Sequence, residues 1–236
     1  PAPDGFEPWL LKFDGVNQDT LGDPEGFGRV EYAYYLMALD CGIDMSTCRL
    51  LKEGGRAHFM THRFDRGVSG EKKHMLSLCA MSHYDFNRPG DYSYEQALGI
   101  IQKLNIGQPA MQELYRRMVF NILARNHDDH TRNIAFLMDR KGNWRLAPAY
   151  DMMWSHKTDS PWVSRHQMRV NGKQDNFTYD DIKAVADHYM IKNAKELFRR
   201  VHTSISRWKE FADQAEVDSE MMHAVGTTHR IQDLNI

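Results

Sequence analysis

The chain has 236 residues, enough for one large domain or two modest ones sharing a cleft. Hydrophobic residues make up 42% and charged residues 26%, the balance of an ordinary globular protein rather than a disordered or fibrous one. A formal net charge of -2 offers no broad basic face, and no run of about 18 apolar residues exists, so neither direct nucleic-acid binding nor a membrane span is expected.

The first predicted element is a strand, on which Trp9, Leu11 and Phe13 share one face and Leu10 and Lys12 the other. Residues 14–28, rich in Gly, Asp and Asn, read as a loop. Val30, Ala33, Tyr34, Met37, Ala38 and Cys41 then recur at helical spacing until Gly42 ends the pattern. Short β-type stretches follow over 47–51 and 56–64. From Glu71 the character turns helical: a helix over 71–83, a loop, a second helix over 94–104, and a third from Pro109. That third helix carries an unbroken apolar stripe through Met111, Leu114, Tyr115, Met118, Ile122 and Leu123. Residues 133–151 read as a hairpin turning at 139–143. A long loop over 154–177 leads to helices over 179–190 and 195–214. A β-containing portion, 1–66, thus precedes a mainly helical one, 67–236, with a candidate hinge at 64–67.

Cys41, Cys48 and Cys79 are odd in number and form no C-x-x-C pair, which fits reduced thiols and a cytoplasmic location. The first residues are neither basic nor apolar enough for a signal peptide, and no internal repeat is present.

The densest chemistry lies in Arg125-Asn-His-Asp-Asp-His-Thr-Arg-Asn133, between the third helix and the hairpin. Asp128 and Asn133 stand five apart, and the hairpin returns the chain to Asp151. Phosphoryl transfer needs that set: a carboxylate to orient or deprotonate an attacking hydroxyl, then a carboxamide and a carboxylate to hold magnesium against ATP phosphates. Arg132 suits a phosphate. Lys12 would supply a positive charge from the early strand, and Glu31 in the first helix could pair with it. A second assignment stays open, because His127-Asp128 also spells the metal-binding pair of phosphohydrolases, for which His74, His83 and Asp187 could be further ligands.

"LLKF", "HRFDR", "NHDDHTRN" and "LAPAYDMM", in this order, resemble HipA-like serine/threonine kinases, the toxins of bacterial HipBA-type toxin–antitoxin modules. The resemblance spans nearly the whole chain. It implies an α+β, protein-kinase-like two-lobed fold with a large helical C-terminal lobe. Lys12 resembles the ATP-phosphate lysine, Asp128 the catalytic aspartate, and Asn133 and Asp151 the magnesium ligands. The backbone around His62, Arg63 and Phe64 resembles the adenine-contacting hinge. Implied partners are a protein substrate, for which aminoacyl-tRNA synthetases are family examples, and an antitoxin of HipB type. The chain departs from the pattern in having His62 for a glutamate and Arg132 for a lysine, a change that keeps charge and alters geometry. Lys12 stands only eleven residues after Pro1, so a truncated small lobe without the Gly-rich phosphate loop is expected. The expected function is ATP- and magnesium-dependent phosphoryl transfer to a protein hydroxyl. The alternatives are a metal-dependent phosphohydrolase and a non-catalytic remnant that binds an antitoxin or another partner protein.

Overall fold

A computed structural model describes residues 5–17, 20, 21, 23–67 and 70–234. Strand β1 (Trp9–Lys12) opens the chain. Two short strands, β2 (Val16–Asn17) and β3 (Thr20–Leu21), pair inside the segment expected to be a loop, whose residues 18, 19 and 22 lie outside those described. Helix α1 (Phe27–Asp40) follows, then β4 (Cys48–Glu53) and β5 (Arg56–His62). The sheet runs β1-β5-β4, antiparallel, with Trp9 opposite His62 and Lys12 opposite Phe59. Lys12 therefore sits at the end of an edge strand.

Residues 71–83 are not the expected helix. His74–Ser77 form strand β6, and only Leu78–Ser82 are helical, as α2. The reason is tertiary: β6 finds a partner in the later hairpin, and the Ser77 hydroxyl then caps the short helix by accepting from the Ala80 N–H at 3.2 Å. Helix α3 (Tyr94–Lys103) starts with a capping box between Ser93 and Gln96. Helix α4 (Gly107–Leu123) begins two residues before Pro109, which falls in the first turn, where a missing N–H costs nothing. The hairpin is β7 (Ala135–Met138) and β8 (Trp144–Leu146), and with β6 it makes an antiparallel sheet ordered β6-β7-β8.

The long segment after Asp151 has no helix, but it is tied down by bridges at Asn126–Ser155 and Ser93–Arg169. Helix α5 (Tyr179–His188) carries a Thr178–Asp181 capping box. The helix expected over 195–214 is two: α6 (Ala194–Ser206) and α7 (Trp208–Gln214), broken at Arg207. The break turns the Trp208 ring onto Tyr34 and His229, while Arg207 pairs with Asp40 and Glu210. A last helix, α8 (Ser219–Gly226), capped by Asp218, was not anticipated. Among the described residues no helix is long and apolar enough to cross a membrane.

The main core is built on α4, whose Met118 to Leu123 are buried all round. Val30, Tyr34 and Met37 of α1 join this same core. So α1 touches the first sheet on one side and α6 and α7 on the other. Its contact with β5 is close because Gly28 has no side chain: a Cβ there would lie 2.1 Å from the Ala57 carbonyl oxygen. Gly28→Ala should therefore lower stability by roughly 1–3 kcal/mol in urea denaturation. Gly99→Ala in α3, where a new Cβ meets nothing nearer than 3.6 Å, should stabilise by up to about 1 kcal/mol. Equal effects at the two glycines would contradict this account of how α1 is seated.

Candidate active site

Lys12 reaches from β1 across to two carboxylates. Its Nζ donates to Glu31 Oε1 of α1 at 2.6 Å and to Asp151 Oδ1, just past the hairpin, at 2.5 Å. Burial alone would lower the pKa of Lys12, but Glu31 and Asp151 together outweigh it and raise it to about 12. For Glu31 burial wins over the attraction of Lys12 and lifts the carboxyl to about 6, so both groups are charged at neutral pH. Glu31 is 4% exposed, and its charge is tolerable there because the ammonium faces it. Asp151 adopts a left-handed backbone, φ 56°, which aspartate bears better than most residues and which turns its side chain out of the hairpin direction.

The polar loop supplies the opposite wall. Asn133 and Asp151 line one cavity of about 690 Å³ with His130, Arg132 and Tyr150, and with Lys72 and Lys73 from the segment before β6. The Asn133 side-chain N–H donates to the Asp128 carbonyl at 3.0 Å, which leaves the amide oxygen as the outward group. The Asp128 carboxylate lies 3.8 Å from His130 Nε2. Burial raises its pKa, with Asp151 and Asp129 adding to that while His130 and Lys12 oppose it. Asn133 and Asp151 thus line the cavity directly, Lys12 is tied to it through Asp151, and Asp128 adjoins it through Asn133. Arg132 borders it with its guanidinium over the Phe86 ring at 4.5 Å, and its carbonyl accepts from the Tyr150 hydroxyl.

The segment 62–64 borders the same region differently from site to site. The His62 and Arg63 N–H groups are already donated to the Thr47 and Pro8 carbonyls, and Arg63 forks onto Asp65. Phe64 packs on Tyr150, rings 5.7 Å apart, above the small cluster of Ala135, Leu137 and Ala147. The N–H groups of the first two are thus engaged within the chain, and Phe64 is the member of the trio whose side chain packs on Tyr150 of the cavity lining.

What shapes the loop is Asp129, 3% exposed, the neighbour that sequence reading passed over for Asp128. Its carboxylate accepts from Tyr94 Oη at 2.9 Å, His166 Nδ1 at 2.9 Å, and the N–H groups of Gln167 at 2.8 Å and Met168 at 3.4 Å. Tyr94 in turn accepts from Asn121, and Asn121 accepts from Asn126. Asp129 is held inside by these donors, while the side chain of its neighbour Asp128 is left partly exposed. The sequence signal was the doubled acid itself, but nothing in it says which one is inside.

The histidines do not gather as a metal centre. His127 is enclosed, with Nδ1 donating to the Val163 carbonyl at 3.0 Å and Nε2 facing Arg125 at 3.3 Å. His74 lies against Trp144 at the far end of the hairpin sheet, and Asp187 pairs with Lys183 on α5. Among the described residues no three His, Cys, Asp or Glu side chains form a metal-ligand group. The phosphohydrolase arrangement therefore finds no support in the geometry.

Comparison with known proteins agrees with the kinase-like arrangement. The family profile described as HipA-like C-terminal domain matches residues 2–226. A Haemophilus influenzae protein named as a candidate kinase is 29% identical, over 63% of this chain and 51% of its own length. Among solved structures, HipA of Shewanella oneidensis, in a complex with HipB and operator DNA, superposes with a TM-score of 0.68 at 16% identity, over 96% of this chain and 63% of that one. The Helicobacter pylori proinflammatory kinase CtkA gives a TM-score of 0.54 at 15% identity, over 94% and 90%. At such identities the likeness is one of fold, α+β and kinase-like. The chain spans about half the length of the Haemophilus relative.

Two outcomes follow from these contacts. Asp129→Ala strands buried donors and should cost about 3–5 kcal/mol in urea denaturation, whereas Asp128→Asn should change stability by less than about 1 kcal/mol. Burial also lowers the pKa of His127 to about 2 and of His229 to about 3, against an ordinary value of 6.5. The unfolded chain then binds protons that the folded one refuses, so stability falls as pH drops below 6.5, by about 1.4 kcal/mol per pH unit for each of the two. Denaturation at stepped pH measures that slope, and a flat profile down to pH about 5 would refute it.

Proposed function

This chain belongs to the family of HipA-like C-terminal domains, and we propose that it is a kinase that transfers phosphate from magnesium–ATP to a serine or threonine hydroxyl of a protein. The observation that carries this reading is that Asn133 and Asp151 line one cavity while Lys12 pairs with Asp151 and Asp128 adjoins Asn133. The donor set suits the cofactor. The Asn133 amide oxygen and the Asp151 carboxylate are hard oxygen ligands of the kind magnesium takes. Lys12, already balanced between two carboxylates, can exchange Asp151 for a phosphate oxygen while Glu31 keeps hold of it.

Bound magnesium–ATP supplies the phosphoryl group and neutralises charge on its oxygens during transfer. The residues of the chain do the positioning. Asp128, its pKa raised by burial and its side chain partly exposed, would accept the hydroxyl proton as the hydroxyl oxygen bonds to the γ-phosphorus and the bond from that phosphorus to the departing ADP breaks. Arg132, at the cleft border, adds positive charge near where the phosphoryl oxygens would sit, and His130 lies beside Asp128. Glu31 fixes the height of Lys12, and Phe64 and Tyr150 wall the base side. The HipA neighbour is held by HipB, which supports an antitoxin of that type as the natural partner here; the protein substrate is read from the resemblance alone.

Asp128→Asn keeps shape but removes the proton acceptor, so turnover should fall roughly 10²–10⁴-fold with ATP affinity little changed. Asp151→Asn and Lys12→Met should both weaken magnesium-dependent ATP binding, read by calorimetric titration. Transfer is read with γ-labelled ATP and a generic protein acceptor. If Asp128→Asn transfers phosphate like the unaltered chain, or if the chain binds no nucleotide with magnesium present, the kinase reading fails and a binding module is left in its place.

A further inference from the structure

We propose that the turn between β7 and β8 is a docking site for an acidic segment with apolar anchors, presented by a partner protein. Strand pairing brings two distant stretches together there: His74 stands opposite Met138, and Met138 opposite Trp144. One face of the turn is a groove of about 980 Å³ bordered by Lys72, Lys73, Arg140, Lys141 and Arg145. All five are exposed, and none makes an ion pair among the described residues. The acids nearby do not cancel them. Asp139 is committed to the turn, accepting from the N–H groups of Lys141 at 2.8 Å and Asn143 at 2.9 Å and from the Asn143 side chain at 2.8 Å. With Glu71 at its edge, the groove holds two acids against five cations.

The other face of the same turn is a second hollow of about 730 Å³, which shares residues 142–145 with the groove. That hollow is mixed, with Leu104, Ile106 and Pro109 beside Asp44, Asn105 and the ion-paired Glu113 and Arg117, so the apolar seat is in the groove itself. There Met138 and Trp144, both half-buried, share the lining with the cations. A ligand lying in the groove therefore meets five cations around an apolar strip. An acidic segment with aliphatic side chains matches both, and Lys72 and Lys73 also border the catalytic cavity, so such a segment would lead toward it. Single-stranded nucleic acid fits less well: it stacks bases on open aromatic faces, and Trp144 is half-buried with its ring edge-on to His74. Docking of this kind goes beyond the kinase reading and does not require transfer to occur.

The test uses the full chain and a fluorescein-labelled peptide of Glu-Glu-Leu repeats, about a dozen residues long, read by fluorescence anisotropy. Saturable binding should weaken as salt rises from about 50 to 300 mM. Arg140→Glu combined with Lys141→Glu should weaken it at least about tenfold, and Arg140→Gln with Lys141→Gln should fall between. A Gln-Gln-Leu peptide should bind at least about tenfold more weakly than the acidic one. Calorimetric titration should show ATP binding unchanged in both double variants, which checks their fold and separates this site from the catalytic cleft. Unaltered peptide affinity in the glutamate variant would overturn the proposal. So would an oligothymidine probe that binds more tightly than the peptide and is lost in the same variant, since the surface would then serve nucleic acid.

Discussion

Everything at the cleft depends on one enclosed carboxylate. Asp129 sits where water cannot solvate it, and its charge is tolerated because four donors converge on it. Those donors come from α3 and from the long segment after the hairpin, so the loop is gripped from both sides. A buried ion so arranged adds little net stability, but breaking it is expensive. That asymmetry makes it a constraint on shape, with Asp129 held inside the loop and Asp128 left partly exposed beside it.

The second constraint is the reach of Lys12. Its pair with Asp151 is half-exposed and worth little as a source of stability. Its value is geometric, because it joins the edge of the first sheet to the chain just beyond the hairpin. Glu31 makes that reach definite, and Glu31 is placed by α1, which the Gly28 contact seats against β5 and which the large core holds from behind. The sheet, the helix and the polar loop over 125–133 thus share one positional reference, built from apolar burial and expressed through charge.

Strand β6 ties the cleft to the remoter surface. By pairing with β7 it carries Lys72 and Lys73 to a position where they border both the cavity at Asn133 and Asp151 and the groove at the hairpin turn. The unpaired cations there contrast with α4 and α7, where lysines and arginines are mostly matched by acids within a turn or two. An electrostatic surplus kept at one turn, around the half-buried Met138 and Trp144, is the physical basis for assigning a partner to that face.

The sequence alone determined the elements whose signals are local. The strand at Lys12, the apolar stripe of α4, the hairpin turning at 139–143 and the spacing of Asp128, Asn133 and Asp151 were all legible, because periodicity and turn chemistry act over a few residues. The Lys12–Glu31 pair was open from sequence and is present in the structure. What sequence misread were cases settled by a distant partner. Residues 74–77 have enough apolar character for a helix, yet they are a strand because β7 offers an edge to complete. The last long helix breaks at Arg207 because Trp208 is drawn onto Tyr34 and His229 from other parts of the chain. Asp128 and Asp129 are the same residue type side by side, and no local property distinguishes them. Only the tertiary fold decided between them, by bringing Tyr94, His166 and two backbone amides to one and leaving the other to the cleft.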